Sequence, residues 1–253
     1  MPGRNTDGAS LVPGDKEMTQ AATEKLVKRL GELQELLYAE HQRKVLILLQ
    51  GMDTSGKDGT VRKVLRETSP QGVRVVSFKK PTEAELDRDY LWRVHANVPM
   101  RGELVVFNRS HYEDVLVVRV HSLVAKSVWR KRYEQINDFE RMLSEEGTII
   151  LKFFLNISRD EQRERLQARL DDPTKRWKFE HGDIAERKLW DDYMAAYEDV
   201  LEKTSTKHAP WHVVPADRKW ARDWIVANTV VKAMEKLRMK YPDPPDVEGV
   251  TID

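Results

Sequence analysis

Cysteine is absent from the 253 residues, which excludes a disulfide scaffold, thiolate zinc sites, iron–sulfur clusters and cysteine nucleophiles. Long apolar runs are missing as well. No uninterrupted stretch approaches the roughly 18 residues of a membrane helix, and the N-terminus lacks the apolar segment of a signal peptide. There is no excess of one charge: Lys+Arg 43 against Asp+Glu 42 leaves +1. That balance argues against a chain-wide nucleic-acid binder, although a net count averages over every face and leaves room for a local basic site. The histidines (His41, His95, His111, His121, His181, His208, His212) show no H-E-x-x-H or comparable ligand spacing, so no zinc site is expected. What remains is a soluble, cytoplasmic chain with no membrane or nucleic-acid partner. It is long enough for one substantial core.

The hydrophobic pattern alternates. Leu26, Leu30, Leu33 and Leu37 mark one buried helical face. Val45–Leu49 is a short apolar run ending at Gly51, as suits a strand covered on both faces. Val73–Phe78, Leu104–Phe107, Ile149–Leu155 and the weaker Trp211–Val214 repeat the theme. Helical patterns lie between them at about 59–68, 86–95, 126–146 and 184–203. A last helix near 219–240 is expected to bury Trp220, Trp224, Ala227, Val231, Met234 and Leu237. Strand–helix alternation predicts an α/β/α sandwich with a mostly parallel sheet. Residues 1–15 read as a mobile extension, 16–240 as a single domain, and 241–253, with Pro242, Pro244 and Pro245, as a surface tail.

Gly51-Met52-Asp53-Thr54-Ser55-Gly56-Lys57 has the G-x-x-x-x-G-K spacing, follows a buried strand and opens a helix. In such a loop successive N–H groups converge on phosphate oxygens, the helix N-terminus adds positive potential, and Lys57 supplies a full charge. Thr54, Ser55, Gly56, Asp58 and Gly59 are therefore candidate phosphate contacts. Position 58 departs from the usual Ser or Thr. A carboxylate beside phosphate makes electrostatic sense with a cation between them or a basic residue to orient, which makes Asp53 the candidate Mg²⁺ ligand. A tight strand–helix turn with a capping Asp is the structural alternative.

Phe107-Asn108-Arg109-Ser110-His111-Tyr112-Glu113-Asp114 follows another buried strand. Asn108 stands where P-loop proteins often carry a metal-binding carboxylate. Arg109 would aim a permanently charged fork at the sheet's C-terminal edge, or pair at the surface with Glu113 or Asp114. Lys79 and Lys80 sit at another strand exit. Ser158-Arg159-Asp160-Glu161 starts a helix with the spacing of a capping box, on which Arg165 and Arg169 share a face. With Lys175 and Lys178 beyond it, residues 158–183 read either as a basic lid over polyanionic substrates or as a solvated helix with internal ion pairs. Arg130-Lys131-Arg132 reads as a solvent face.

Four stretches together resemble the second family of polyphosphate kinases, the polyphosphate:nucleotide phosphotransferases. They are Gly51–Gly59, Phe78-Lys79-Lys80-Pro81-Thr82, Phe107–Val115 and Pro173-Thr174-Lys175-Arg176-Trp177-Lys178-Phe179. The resemblance spans roughly residues 25–240. It implies a thymidylate-kinase-like P-loop fold with a helical lid, and Mg²⁺-dependent phosphoryl transfer from inorganic polyphosphate to nucleotides, with Mn²⁺ as a substitute. Family roles fall on Asp53 (metal and loop geometry), Lys57 and Arg109 (phosphate at transfer) and Arg169 (lid). Asn108 and Arg109 would meet the nucleotide, and Glu113 the transfer site. Asn108 with His111-Tyr112-Glu113-Asp114 resembles the subgroup accepting both AMP and ADP. Adenine or guanine nucleotides and a homodimer or homotetramer are further implications. An ATP-dependent nucleoside monophosphate kinase on the same fold is the competing reading.

Overall fold

The structure, a computed structural model, describes residues 5–246 and 252. The expected extension over 1–15 and tail over 241–253 fall outside the described residues at 1–4, 247–251 and 253. The apolar runs form five strands: β1 (Lys44–Gln50), β2 (Val73–Ser77), β3 (Leu104–Asn108), β4 (Thr148–Asn156) and β5 (Trp211–Pro215). They make one sheet in the order β2-β3-β1-β4-β5, and every pairing is parallel. Ile150, Leu151, Phe153 and Phe154 of β4 are all buried although their side chains alternate between faces. Both faces are therefore covered over the central strands β1, β3 and β4, which is why these read as continuous apolar runs; the edge strand β2 is partly exposed.

The cover comes from two packed helix groups. One comprises α1 (Lys16–Glu40), α2 (Lys57–Val64) and α10 (Lys219–Glu235); the other comprises α5 (Val117–Val120), α6 (Lys126–Glu145) and α9 (Trp190–Thr204). The Asp15 carboxylate caps α1 by accepting from Met18 N at 2.9 Å. The helix buries Val27, Leu30, Leu33 and Leu37, and Leu26 is only partly buried.

The helices depart from the sequence pattern in three places. The stretch expected as one helix over 86–95 is two single turns, α3 (Glu83–Leu86) and α4 (Trp92–His95). Between them the Asp89 carboxylate accepts from Leu91 N at 2.9 Å, a local bond that competes with helix continuation. The helix expected over 184–203 is broken at Leu189 into α8 (Gly182–Lys188) and α9. On α10 Ala227, Val231 and Met234 are buried as expected, joined by Ala221, Arg222, Asp223, Val226 and Val230, whereas Trp220 and Trp224 are left half-buried at the flanks. Small side chains let α10 approach its neighbours closely, and the indoles are too large for that seam.

The opening segment, expected as a mobile extension, makes specific contacts from Asn5 onward. Thr6 O accepts from Asp217 N at 3.0 Å, and Asp7 Oδ2 accepts from Arg218 Nε at 2.5 Å.

Gly31 on α1 marks a close approach. A Cβ there would lie 2.5 Å from the Glu67 carbonyl oxygen. Gly31→Ala gains about 1 kcal/mol of helix propensity but incurs an overpacking cost of about 1–3 kcal/mol. The expected result is a lower Tm in thermal melting; a higher Tm would show that the backbone yields without strain.

Candidate active site

The segment Gly51–Gly56 joins β1 to α2 at the C-terminal edge of the sheet. The turn closes through Ser55 N donating to Met52 O at 3.0 Å. Thr54 and Gly56 both take positive φ, 61° and 102°. Gly56 is constrained twice over, because a Cβ there would lie 1.8 Å from Arg222 Nη1. Lys57 is buried, and its ammonium donates to Gly51 O at 2.8 Å and Met52 O at 3.3 Å. Burial, with Arg109 repelling it, lowers the Lys57 pKa to about 8. Thr54 Oγ1 and Ser55 Oγ are buried without a hydrogen-bond partner.

Cations hold the loop from behind. Arg165, on α7 (Arg159–Asp171), donates from Nη1 to Thr54 O at 2.9 Å and Ser55 O at 3.1 Å. Its Nη2 reaches Ala216 O and Asp217 O at 2.6 and 3.0 Å. Gln162 Nε2 donates to Asp53 O at 3.1 Å, and Arg222 Nη1 to Ser55 O at 3.4 Å. The carbonyls of Thr54 and Ser55 are thus satisfied from α7 and α10, and that of Asp53 by Gln162 at the cavity wall.

β3 ends beside β1 in register, Asn108 opposite Leu49, which brings the next residues level with the loop. Arg109 has φ 62°, a conformation costing a non-glycine residue about 1 kcal/mol or more. Its N–H donates to Leu49 O at 3.1 Å, tying the kink to β1. Its guanidinium reaches Asp53 Oδ1 at 3.0 Å. Burial works against the Arg109 charge, but Glu113 and Asp53 outweigh it and raise its pKa. Asn108 Nδ2 donates to Asp58 Oδ1 at 2.6 Å, a second tie between β3 and the start of α2.

Glu113 lies in the 3₁₀ turn His111–Asp114. Burial raises its pKa, against the pull of Arg109 and Lys57. With the Gln50 amide oriented nitrogen-first, Gln50 donates to Glu113 Oε1 at 3.0 Å and accepts from Ser110 N at 3.1 Å. Asp53, Arg109 and Glu113 line a cavity of about 290 Å³, together with Asp183, Tyr193 and Tyr197. The Asp183 pKa is raised, first by burial and further by the charge of Asp53; both carboxylates line this cavity.

Similarity to known proteins agrees with this geometry. The protein family described as Polyphosphate kinase 2 (PPK2) matches residues 14–242. This chain belongs to the polyphosphate kinase 2 family. A relative from Meiothermus ruber, named AMP/ADP-polyphosphate phosphotransferase, is 59% identical over 94% of this chain and 89% of its own length. One from Rhodopseudomonas palustris, named ADP-polyphosphate phosphotransferase, is 48% identical over 86% of this chain and 79% of its own. The crystal structure of polyphosphate kinase 2 from Arthrobacter aurescens TC1 superimposes with a TM-score of 0.94 at 46% identity, covering 96% of this chain and 88% of that one.

Among the residues expected to form this polyphosphate kinase 2 site, Asp53, Arg109 and Glu113 share the cavity and the loop residues Thr54 to Lys57 adjoin it. Asp58 lies at the start of α2 with its carboxylate committed to Asn108, and Gly59 follows it in the first turn. Arg169 reaches the cavity through Asp183, 3.6 Å away. The remaining cations lie outside the cavity lining. Lys79 and Lys80 are exposed beyond β2, Lys175 pairs with Asp172 at 2.5 Å, and Lys178 rides 5.0 Å over the Trp177 ring. Arg165 does not join a phosphate-facing row with Arg169; it turns to the loop carbonyls.

Arg132, expected on a solvent face, instead donates to Asp114 O and Oδ1, each at 3.0 Å, and lies 4.5 Å over the Tyr90 ring. Asp183, Gln162 and Arg222 carried no sequence signal. Each is an ordinary helix residue whose role comes from a distant loop.

Burial pushes the Asp114 pKa from 3.8 up to about 6 despite Arg132. The folded state therefore holds that proton more tightly than the unfolded chain. Its contribution to stability is largest below the unfolded pKa and is lost as pH rises through about 6. Asp114→Asn is expected to weaken the decline in Tm between pH 4 and pH 6; thermal melts giving parallel pH profiles would contradict this.

Proposed function

We propose that this chain transfers the terminal phosphoryl group of inorganic polyphosphate in line to a phosphate oxygen of AMP or ADP, giving ADP or ATP and a polyphosphate one unit shorter. The observation that carries this reading is the Asp53–Arg109 pair at the mouth of a phosphate loop whose buried hydroxyls lack partners. The relatives named as AMP/ADP- and ADP-polyphosphate phosphotransferases support the choice of donor and acceptor.

The acceptor oxygen is already a competent nucleophile, so the protein's task is to position two anions and offset their charge. The acceptor fits the cavity between loop and lid, with Arg109 on its phosphate and Tyr193 and Tyr197 along its wall. The loop N–H groups, Thr54, Ser55 and Lys57 hold the donor's terminal units. Arg109, and Arg169 from the lid, balance charge on the transferring group while the lid excludes water. The new P–O bond forms to the acceptor oxygen as the bridging P–O bond breaks, and the shortened chain leaves as an anion without needing a proton. Glu113 orients Arg109 and so selects the acceptor's phosphate position. Lys79, Lys80, Lys175 and Lys178 would hold the rest of the chain.

The carboxylates present fit a magnesium or manganese ion. Among the described residues no set of three or more ligating side chains forms a cage, and magnesium is ordinarily held by one or two carboxylates plus substrate phosphates and water. Asp53 would hold it, with Asp183 in the same cavity lining. When bound, the ion would offset the negative charge of the two substrates and reduce their repulsion.

The test is incubation with AMP, Mg²⁺ and polyphosphate, ATP omitted, with nucleotides followed by chromatography. ADP and then ATP are expected; product only when ATP is added would assign the chain to ATP-dependent monophosphate kinases. In the same assay Lys57→Ala and Asp53→Asn are each expected to lower kcat by about 10²-fold or more, and near-normal turnover would remove these residues from the transfer.

A further inference from the structure

Behind the turn that carries Glu113 lies a buried group of charged side chains with no place in the phosphate chemistry. Lys152, in the middle of β4, is 0% exposed and Glu140 on α6 is 1% exposed. Lys152 Nζ donates to Glu140 Oε2 at 2.6 Å, Tyr112 Oη at 2.8 Å and Thr204 O at 2.7 Å, which uses all three of its protons. Tyr112 Oη in turn donates to Glu140 Oε1 at 2.8 Å, and His111 Nε2 lies 3.2 Å from the same oxygen. Trp211 Nε1 donates to Thr204 Oγ1 at 2.9 Å.

Stability does not call for this arrangement. Desolvating two charges costs several kcal/mol per ion, and an apolar set of similar volume commonly does as well. Direction is what such a network supplies. The carboxylate of Glu140 and the ammonium of Lys152 fix both rings that precede Glu113. Ser110 Oγ is held by Gln50 and Asp114 by Arg132. Within 110–114, every side chain but that of Glu113 is bonded away from the cavity. The same ammonium grips Thr204 at the end of α9, the helix that carries Tyr193 and Tyr197 into the cavity wall.

We propose that Lys152, Glu140, His111 and Tyr112 are positioning residues for the acceptor half of the site: one buried ion pair fixes the Glu113 turn and the tyrosine-bearing helix to a common point. This rests on the reading of the cavity as the acceptor site. The donor-binding loop is braced separately, by Arg165 and Arg222, so the two halves can be perturbed independently.

The double variant Lys152→Met/Glu140→Leu removes both charges and leaves no uncompensated ion. With polyphosphate and AMP it is expected to lose about 10²-fold in kcat, the order of effect of a misplacement near 1 Å, while its Kd for tripolyphosphate, read by calorimetry, stays within about threefold of wild type. A folded double variant with unchanged kcat, or with loss of kcat and tripolyphosphate affinity together, would overturn the proposal. Should the double variant fail to fold, His111 decides. His111→Gln keeps a donor toward Glu140 and should retain activity; His111→Leu should lose it, and equal activity of the two would overturn the proposal. A wild-type protein that makes no ADP from polyphosphate and AMP overturns the acceptor reading itself, whereas active wild type with unaffected variants overturns only the network's role.

Discussion

A phosphate loop can turn its N–H groups toward a ligand only if its carbonyls are satisfied on the opposite side. In this protein two arginines meet that condition at Thr54 and Ser55: Arg165 and Arg222 approach their carbonyls from behind, while Gln162 takes that of Asp53 at the cavity wall. The backbone is thereby organised before any anion arrives, and positive charge is stored where it need not move during reaction. Gly56 is required because Arg222 occupies the space a side chain would take. Arg222 remains buried because Asp223 accepts from its Nε and Nη2 at 2.9 and 2.7 Å.

The same constraint links the elements around the site. Arg165 and Gln162 belong to α7, so that helix and the loop share hydrogen bonds. On the other side, the left-handed kink at Arg109 is tied to β1 through Leu49 O, and its guanidinium meets Asp53. A net charge of +1 coexists with an uneven distribution: Arg109 stands among Asp53, Glu113, Glu180, Asp183 and Glu186 in the cavity lining, while Arg165 and Arg222 sit against the loop carbonyls.

What could be read from the sequence was what local spacing encodes. The loop, its lysine, and Arg109 after a buried strand were legible because each sits at a fixed offset from an apolar run. β1, β3 and β4 were legible because burial on both faces writes itself as continuous hydrophobicity, and the edge strands β2 and β5 by their β-branched residues. Residues acting across long separations were not. Arg165 and Arg169 look alike at helical spacing, yet one reaches back to residues 54 and 55 and the other to Asp183. Lys152 hid within the apolar run of β4, and its partners at 112, 140 and 204 adjoin it only once β4, α6 and α9 have packed. On α10 the expected Ala227, Val231 and Met234 are buried, but Trp220 and Trp224 lie at the flanks because Ala221 and Val226 make the closer seam.

If the buried arginines behind the loop preorganise it for phosphate, removing one must weaken anion binding. Titration calorimetry of tripolyphosphate into Arg165→Met tests it most directly, since that change removes a partner of Thr54 O and Ser55 O and leaves the loop sequence, Lys57 and Arg109 intact. Binding weaker than wild type by about tenfold or more, in a protein that still melts cooperatively, is the predicted result. Wild-type affinity in the folded variant would contradict it.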